Sequence, residues 1–146
     1  MVTNIDHLNL SVRNFKESAD WYGRVFGFSV VEQGRYEGRP WGVLKSHDAM
    51  LCIYEDSTRS FADGDELEKR HLHGFNHFAL KITNRLAWEA TIRRENVPIN
   101  YDGPVKWPKS TSWYVNDPTG YEIEVAFWHT GSPEFSIAVT PERKKL

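Results

Sequence analysis

Apolar and polar residues alternate with period two in two similar segments of the chain. Residues 5–12 show this alternation, and residues 75–82 repeat it 70 residues later, measured from His7 to His77. Alternation of this kind is typical of a β-strand with one buried face. The sequence therefore predicts two equivalent strands, each opening one copy of an internal repeat.

Each of these strands is followed by a stretch with helical periodicity. The first begins near Asn14, a residue type that caps helix N-termini well, and stops at Gly27. The second begins near Asn84 and ends before Pro98. Apolar residues in both stretches recur at spacings of three and four, which places them on one face. We expect one amphipathic helix in each repeat.

Short strands separated by turn-forming residues follow each helix. The predicted strands lie at residues 28–35, 41–45 and 49–54 in the first repeat, and at residues 97–100, 111–115 and 121–128 in the second. Of these, the 97–100 strand has the weakest signal. The last two strands are separated by Asn116-Asp117-Pro118-Thr119-Gly120, which has strong turn chemistry. The repeat unit is thus a strand, a helix and several strands.

The length of 146 residues fits a single domain. Its expected parts are modules at about residues 3–56 and 74–128, a charged linker with room for one helical turn at 55–74, and a tail at 129–146. One module alone leaves a face of its sheet uncovered, so the two must cover each other or pair across a dimer. The predicted class is α+β, with paired modules forming a curved mixed sheet and helices outside.

Composition narrows the kinds of partner. The chain has 18 Lys+Arg and 20 Asp+Glu, a net charge of −2 that argues against a nucleic-acid-binding surface. Its apolar runs are far shorter than the roughly 18 residues of a membrane span, and its start lacks the pattern of a secretory signal. Cys52 is the single cysteine, which fits a reducing compartment. We therefore expect a cytoplasmic protein that binds neither nucleic acid nor a membrane.

Three residues form a candidate metal site. His7 and His77 take the same place in the two repeats, and Glu124 lies on the last predicted strand, on the face it shares with Glu122. Two imidazoles and one carboxylate, with open positions, are the ligand set of non-haem iron sites and related manganese, nickel and zinc sites. The alternative is that both histidines are ordinary strand residues and Glu124 faces solvent. The matched placement favours the metal site.

Three sequence segments carry these residues: Ile5-Asp6-His7-Leu8, Asn76-His77-Phe78-Ala79-Leu80 and Asp117-Pro118-Thr119-Gly120-Tyr121-Glu122-Ile123-Glu124. Together they resemble the vicinal-oxygen-chelate superfamily, which includes glyoxalase I, extradiol dioxygenases, fosfomycin-resistance enzymes and bleomycin-binding proteins. The resemblance covers about residues 3–128. It implies paired βαβββ modules that form a cup around a divalent metal ion held by His7, His77 and Glu124. It also implies that two neighbouring substrate oxygens bind the metal, in a cup often completed across a homodimer.

The resemblance also bears on the reaction. Tyr114 lies ten residues before Glu124, where extradiol dioxygenases have a tyrosine that hydrogen-bonds bound substrate, and His73 is a candidate acid–base group. Glyoxalase I has a fourth ligand, a glutamate, at a position that matches Cys52 within a residue or two. The leading expectation is a ring-cleaving dioxygenase that uses Fe²⁺ or Mn²⁺. The alternatives are a glyoxalase-like lyase or isomerase, with Ni²⁺ or Zn²⁺, and a metal-free drug-binding protein.

Aromatic side chains are abundant, with 6 Trp, 6 Tyr and 8 Phe in the chain. Some of them must pack in the module cores, since Trp, Tyr and Phe are common in strands. Others are expected to line the cup and contact the substrate. The candidates for this role are Trp113, Trp41 and Phe127, with Trp107 as a weaker one.

Overall fold

Two copies of a βαβββ unit make up the described part of the chain, which in this computed structural model is residue 2 and residues 4–135. The elements are β1 (Leu8–Val12), α1 (Phe15–Phe26), β2 (Ser29–Tyr36), β3 (Arg39–Ser46), β4 (Ala49–Glu55), α2 (Gly64–Lys69), β5 (Phe78–Ile82), α3 (Arg85–Glu95), β6 (Val105–Lys106), β7 (Ser110–Asn116) and β8 (Glu122–Trp128). Helix α2 lies in the linker between the two units. The end of the predicted tail, from residue 136 onward, lies outside the described residues.

The two units have the same sheet topology. The strand orders are β1-β4-β3-β2 and β5-β8-β7-β6, and within the described residues they form two separate four-stranded sheets. In each sheet the first strand pairs in parallel with the last, and the other pairs are antiparallel. This confirms the α+β class and the repeat. It also leaves β1 and β2 at the edges of the first sheet, and β5 and β6 at the edges of the second.

Both main helices are capped as the sequence predicts. The Asn14 side chain accepts a hydrogen bond from the backbone N–H of Glu17 at 2.9 Å, and α1 ends at Gly27 with φ of 71°. Asn84 accepts from the N–H of Ala87 at 3.0 Å, before α3. These bonds satisfy N–H groups that have no partner inside the helix. Local sequence therefore sets where both helices begin.

The two modules share one hydrophobic core, in which they pack back to back. Phe26 of α1 stacks on Trp88 of α3, with ring centroids 5.4 Å apart and an interplanar angle of 11°. Arg24 and Glu95 form an ion pair between the same two helices at 3.3 Å. Since the helices and the core cover one face of each sheet, the other face of each sheet stays open. The open faces are where the polar candidate residues lie.

The predicted turn at residues 116–120 ties the modules together. Asp117 Oδ1 accepts from the backbone N–H groups of Thr119, Gly120 and Tyr121 at 2.8–2.9 Å, and Oδ2 accepts from the Tyr22 hydroxyl at 3.0 Å. Burial raises the pKa of Asp117, and these hydrogen bonds act in the opposite direction. A buried carboxylate needs such donors because desolvation is costly. The turn thus anchors α1 of the first module to the second.

The prediction of a strand at residues 97–100 is wrong. Within the described residues the segment is irregular, and the first short strand after α3 is β6, at Val105–Lys106. Pro98 cannot donate to a strand ladder, and Tyr101 and Asp102 turn the chain with φ values of 59° and 58°. The segment is fixed instead by the bond from the N–H of Asn100 to the carbonyl of Tyr114, at 2.8 Å.

Strands β1 and β5 are shorter than predicted, since each begins one residue after its histidine. The apolar residues that alternate in the preceding segments, Ile5 and Phe75, are 77% and 57% exposed. Little burial therefore holds residues 5–7 and 75–77 in the ladder.

No helix in the described part of the chain is long and apolar enough to cross a membrane.

Candidate metal centre

The second sheet places a histidine and a glutamate side by side. His77 immediately precedes edge strand β5, and Glu124 lies on the neighbouring strand β8, paired with Ala79. His77 Nε2 is 3.2 Å from Glu124 Oε2, and both side chains are partly exposed. Two donors that share one metal ion through bonds of about 2.0–2.2 Å lie about 3 Å apart. The pair therefore fits metal ligation.

The carboxylate of Glu124 is held by a buried serine. Ser112 on β7 is fully buried, and its hydroxyl donates to Glu124 Oε1 at 2.6 Å. One oxygen of the carboxylate is thus fixed, and the other, Oε2, points toward His77. Ser112 is a site residue that the sequence motifs do not identify. The alternation of side chains along β7 could have identified it. Ser112 lies two residues before Tyr114, so both side chains point to the same face of the sheet.

Tyr114 lies directly opposite Glu124 in the pairing of β7 with β8. Its ring meets that of His77 edge-on, with centroids 5.5 Å apart. Burial, reinforced by the charge of Glu124, raises the pKa of Tyr114 to about 12, although a side-chain hydrogen bond with Trp107 opposes the shift. The hydroxyl is therefore protonated at neutral pH and can act as a donor. Trp107 reaches the site through this bond.

A second carboxylate, Glu122, lies on the other side of His77. Glu122 Oε1 is 3.8 Å from His77 Nδ1. The same carboxylate accepts from Asn100 Nδ2 at 3.0 Å and from the Tyr101 hydroxyl at 2.9 Å. From the sequence, Glu122 is recognised only as sharing a face with Glu124, and Asn100 and Tyr101 are missed. Because residues 97–100 are predicted as a strand, nothing in the sequence points to these two side chains.

His7 belongs to the first module and lies just before its edge strand β1. Its side chain is 42% exposed, and its Nδ1 is 2.7 Å from Asp6 Oδ2. Among residue 2 and residues 4–135, no group of three or more His, Cys, Asp or Glu side chains is close enough to hold a metal ion. The chain thus brings together two of the three predicted ligands, His77 and Glu124. His7 stays apart from them.

Cys52 is the structural counterpart of Glu124 in the first module. Asn9 of β1 pairs with Cys52 of β4 in the same way as Ala79 of β5 pairs with Glu124 of β8. Partial burial, with the charges of Asp6 and Glu32, raises the pKa of the Cys52 thiol. A neutral thiol therefore stands where glyoxalase I, by the resemblance, has its fourth ligand.

The predicted substrate-lining aromatic residues divide between the two faces of the sheets. Trp113 is buried in the core, and Phe127 packs against it, both on the face away from Glu124. This placement corrects the expectation that they line the site, since neighbouring strand residues alternate between faces. Trp41 instead stacks on Tyr54, with centroids 5.8 Å apart, on the open face of the first sheet.

His73, predicted as an acid–base group, lies in the segment between α2 and β5. Its side chain is exposed, and within the described residues no hydrogen bond, ion pair or ring contact joins it to His77 or Tyr114. The segment from residue 71 to residue 77 is exposed throughout and has no regular structure after residue 71. The structure therefore does not bring His73 into the candidate site.

A cleft of about 290 Å³ lies on the open face of the first sheet. It is lined by Asn9, Tyr54 and Asp56, among others, and Arg39 and Arg59 both bind the Asp56 carboxylate at 2.9 and 3.0 Å. Hydrogen bonds from Thr58 and Arg59 lower the pKa of Asp56 to about 2. The cleft belongs to the module that carries His7, so it does not adjoin the His77–Glu124 pair within one chain.

Comparison with known proteins supports the fold. A lactoylglutathione lyase from Pseudomonas aeruginosa is 22% identical in an alignment of 142 positions that covers 82% of this chain and 80% of that protein. A glyoxylase/bleomycin resistance protein/dioxygenase domain from Frankia sp. EAN1pec superimposes with a TM-score of 0.74 at 13% identity, over 90% of this chain and 96% of that one. A fosfomycin resistance protein from Listeria monocytogenes gives a TM-score of 0.66 at 15% identity, over 86% of this chain and 93% of that one.

A family model also matches most of the chain. The model of the Glyoxalase/Bleomycin resistance protein/Dioxygenase superfamily matches residues 4–125, which include both modules up to β8. The two βαβββ units and their matched strand order are the fold that the sequence resemblance implied. The chain therefore belongs to the glyoxalase/bleomycin resistance protein/dioxygenase superfamily.

Proposed function

We propose that the protein is a divalent-metal-dependent enzyme that acts on a small substrate with two neighbouring oxygen atoms, with His7, His77 and Glu124 as the metal ligands. The observation that carries the proposal is the 3.2 Å approach of His77 Nε2 to Glu124 Oε2 on the open face of the second sheet. An imidazole and a carboxylate in adjacent ligand positions are two-thirds of the ligand set of non-haem iron sites. Ser112 supports this role by fixing the other oxygen of Glu124.

The third ligand in this proposal, His7, comes from a second copy of the chain. Strands β1 and β5 are edges of separate sheets, and each leads directly from one of the two histidines. When β1 of one copy lies beside β5 of another, His7 approaches the His77–Glu124 pair of that other copy. A twofold-symmetric homodimer would then contain two equivalent sites. The cleft beside Tyr54 would adjoin the same site.

The free backbone of β1 supports this arrangement. Directly after β1 its outer edge is already occupied, because Thr119 Oγ1 accepts from the N–H of Arg13 at 3.3 Å. Alternate residues of a strand point their N–H groups to the same edge. Among the residues that the structure describes, the part of this edge without a hydrogen-bond partner is therefore the part next to His7.

Ring-cleaving dioxygenation of a catechol-type substrate is the reaction that we propose first, with Fe²⁺ or Mn²⁺ as the metal. The bound ion supplies Lewis acidity toward the substrate oxygens and a redox centre for O₂ chemistry. Tyr114 keeps its hydroxyl proton, donates to one substrate oxygen and orients it, while Ser112 holds Glu124. The presence of Cys52 in place of a fourth carboxylate ligand favours this reaction, since three ligands leave more positions open.

A glyoxalase-like lyase or isomerase is the second candidate, favoured by the similarity to a lactoylglutathione lyase. Such a reaction consumes no O₂ and would be compatible with Ni²⁺ or Zn²⁺. The neutral thiol of Cys52 argues against it, because the ligand set then lacks a second carboxylate. A metal-free binding protein of the same fold remains the outcome if no ion binds.

Metal analysis of the full chain, purified without a tag, tests the proposal. We expect close to one transition-metal ion per chain after incubation with Fe²⁺, Mn²⁺, Ni²⁺, Co²⁺ or Zn²⁺. His77→Ala should abolish this binding, whereas His47→Asn should not, because His47 lies in an exposed turn at a φ of 51° that asparagine also adopts. Less than about 0.1 equivalent in the wild type with every metal would refute the metal site, because three such ligands hold these ions firmly.

The reaction is assigned by two parallel assays on the metal-loaded protein. Dioxygenation predicts O₂ uptake that depends on a catechol, and consumption of the catechol that stops under nitrogen. The lyase reaction predicts turnover of a hemithioacetal under nitrogen. Ligand binding that survives His7→Ala combined with His77→Ala would instead support a metal-free binding protein.

A further inference from the structure

Both proposed metal-binding histidines face a carboxylate through the same ring nitrogen. His7 Nδ1 lies 2.7 Å from Asp6 Oδ2, and His77 Nδ1 lies 3.8 Å from Glu122 Oε1. In each ring this leaves Nε2, and His77 Nε2 is the atom beside Glu124. A carboxylate that accepts the N–H of one ring nitrogen fixes which nitrogen is left to bind a metal. In both rings Nε2 is therefore the nitrogen that does not face the carboxylate.

The two carboxylates come from different positions of the repeat. The residue before His7 is Asp6, whereas the residue before His77 is Asn76. The strand pairings Leu8 with Leu51 and Phe78 with Ile123 make Met50 the counterpart of Glu122. Each module therefore has one acid facing its histidine, at the place where the other module has a neutral residue. A simple copy of one module into the other does not account for this complementary pattern.

Glu122 is held in place by a turn with an unusual backbone. Tyr101 and Asp102 have φ values of 59° and 58°, Gly103 has a φ of 133°, and the N–H of Gly103 bonds to the carbonyl of Asn100 at 3.4 Å. Two successive non-glycine residues in the left-handed region are unfavourable, and such strain persists only where the surroundings hold it. The side chains of Asn100 and Tyr101 both donate to Glu122. The turn thus presents two donors to one carboxylate.

Metal ligation through Nε2 determines which ring nitrogen of His77 carries the proton. A neutral imidazole carries a single N–H, so ligation through Nε2 leaves that proton on Nδ1, on the side of Glu122. The 3.8 Å distance between His77 Nδ1 and Glu122 Oε1 exceeds a hydrogen bond. In the metal-bound protein we expect the imidazole to rotate toward Glu122, whose carboxylate is held by its two donors.

We propose that Glu122 and Asp6 are positioning residues, which set the tautomer of His77 and of His7 so that Nε2 binds the metal. This inference rests on the proposed metal site. Neither carboxylate is itself a ligand. Asn100 and Tyr101 act one step further out, by holding Glu122.

Metal affinity measured by calorimetry on the full-length protein, with Zn²⁺ and Co²⁺ as probes, tests the role of Glu122. We expect Glu122→Leu to weaken binding about 10- to 100-fold, the usual effect of losing such a partner. Glu122→Gln keeps an acceptor oxygen and should restore part of the affinity, and Tyr101→Phe should weaken binding by a smaller factor. Glu68→Leu, which removes an exposed acid on α2, is the matched control. An affinity of Glu122→Leu within twofold of the wild type would overturn the inference.

Nitrogen-15 NMR of the Zn²⁺-loaded protein gives a readout that a merely structural role would not move. The wild type should show His77 protonated at Nδ1 and bound through Nε2, and Glu122→Leu should lose this single tautomer. Ligation of wild-type His77 through Nδ1 would overturn the inference even if Glu122→Leu proved unable to fold. A wild type that binds no metal defeats the proposed function itself, whereas equal binding by wild type and Glu122→Leu defeats only the positioning role.

Discussion

Mixing two inactive variants tests whether the metal site is shared between two copies of the chain. In the proposed dimer each site takes His7 from one copy and His77 with Glu124 from the other, so His7→Ala and His77→Ala each damage both sites. A mixed dimer contains one site with both substitutions and one site with neither. Random reassociation makes about half of all dimers mixed, so about one quarter of the wild-type sites return.

The assay is metal content and turnover after the two variants are unfolded together and refolded in equal amounts. Each variant alone should bind little metal and show no activity, and the mixture should recover about a quarter of the wild-type values. A mixture of His7→Ala with His47→Asn is the control, and it should recover about half, because half of its His7 side chains are intact. If both variants fold and dimerise but their mixture stays inactive, the shared site is refuted.

Four further predictions follow from named contacts. Tyr22→Phe removes the buried hydroxyl that donates to Asp117, and should lower the free energy of unfolding by about 1.5–3 kcal/mol in urea denaturation; no change would show that the turn is held without it. Trp113→Ala should destabilise the protein by about 3–5 kcal/mol, because this side chain is 2% exposed in the core, and refolded protein should keep its substrate KM if the ring does not line the site. Tyr114→Phe should lower kcat. Because the pKa of Tyr114 is raised to about 12, its hydroxyl keeps its proton below pH 10, and any alkaline fall in activity below that pH should be the same in both proteins. An alkaline fall that disappears in the variant would contradict this. Because the pKa of Asp56 is lowered to about 2, its ionised form favours folding, so its contribution is complete above its ordinary pKa of 3.8 and is lost as the pH falls toward 2. Asp56→Asn should therefore flatten the loss of stability measured across that interval.

Periodicity and capping predicted most of the fold, because these signals are local. The alternating segments around His7 and His77, the caps at Asn14 and Asn84, and the turn at Asp117 each act through neighbours in sequence. The same local logic failed at residues 97–100. Directly after that segment the backbone has two successive left-handed residues, Tyr101 and Asp102, which propensity does not suggest.

The candidate site was predicted in its residue types but only partly in its geometry. Trp113 and Tyr114 are neighbours on β7, and since successive strand residues point to opposite faces, only Tyr114 can face Glu124. Phe127 lies three residues after Glu124 on β8, so its side chain points to the opposite face and cannot line the site. Strand parity, which is a property of the sequence alone, is enough to separate these residues. The position of His7 could not be predicted in this way, because it depends on contacts between modules rather than on spacing.

The back-to-back attachment of the two modules has a consequence for assembly. The two sheets have four edge strands, β1, β2, β5 and β6. If β1 of one copy pairs with β5 of another, as proposed, the result is either a closed pair or an unlimited row of subunits. Which of the two assemblies forms would depend on the angle between β1 and β5. The Tyr22–Asp117 bond and the stacking of Phe26 on Trp88 join the modules that carry these strands. In the proposed dimer, the contact between the modules would therefore help to decide whether the assembly closes. If the copies associate as proposed, loosening this contact would allow successive chains to join into filaments.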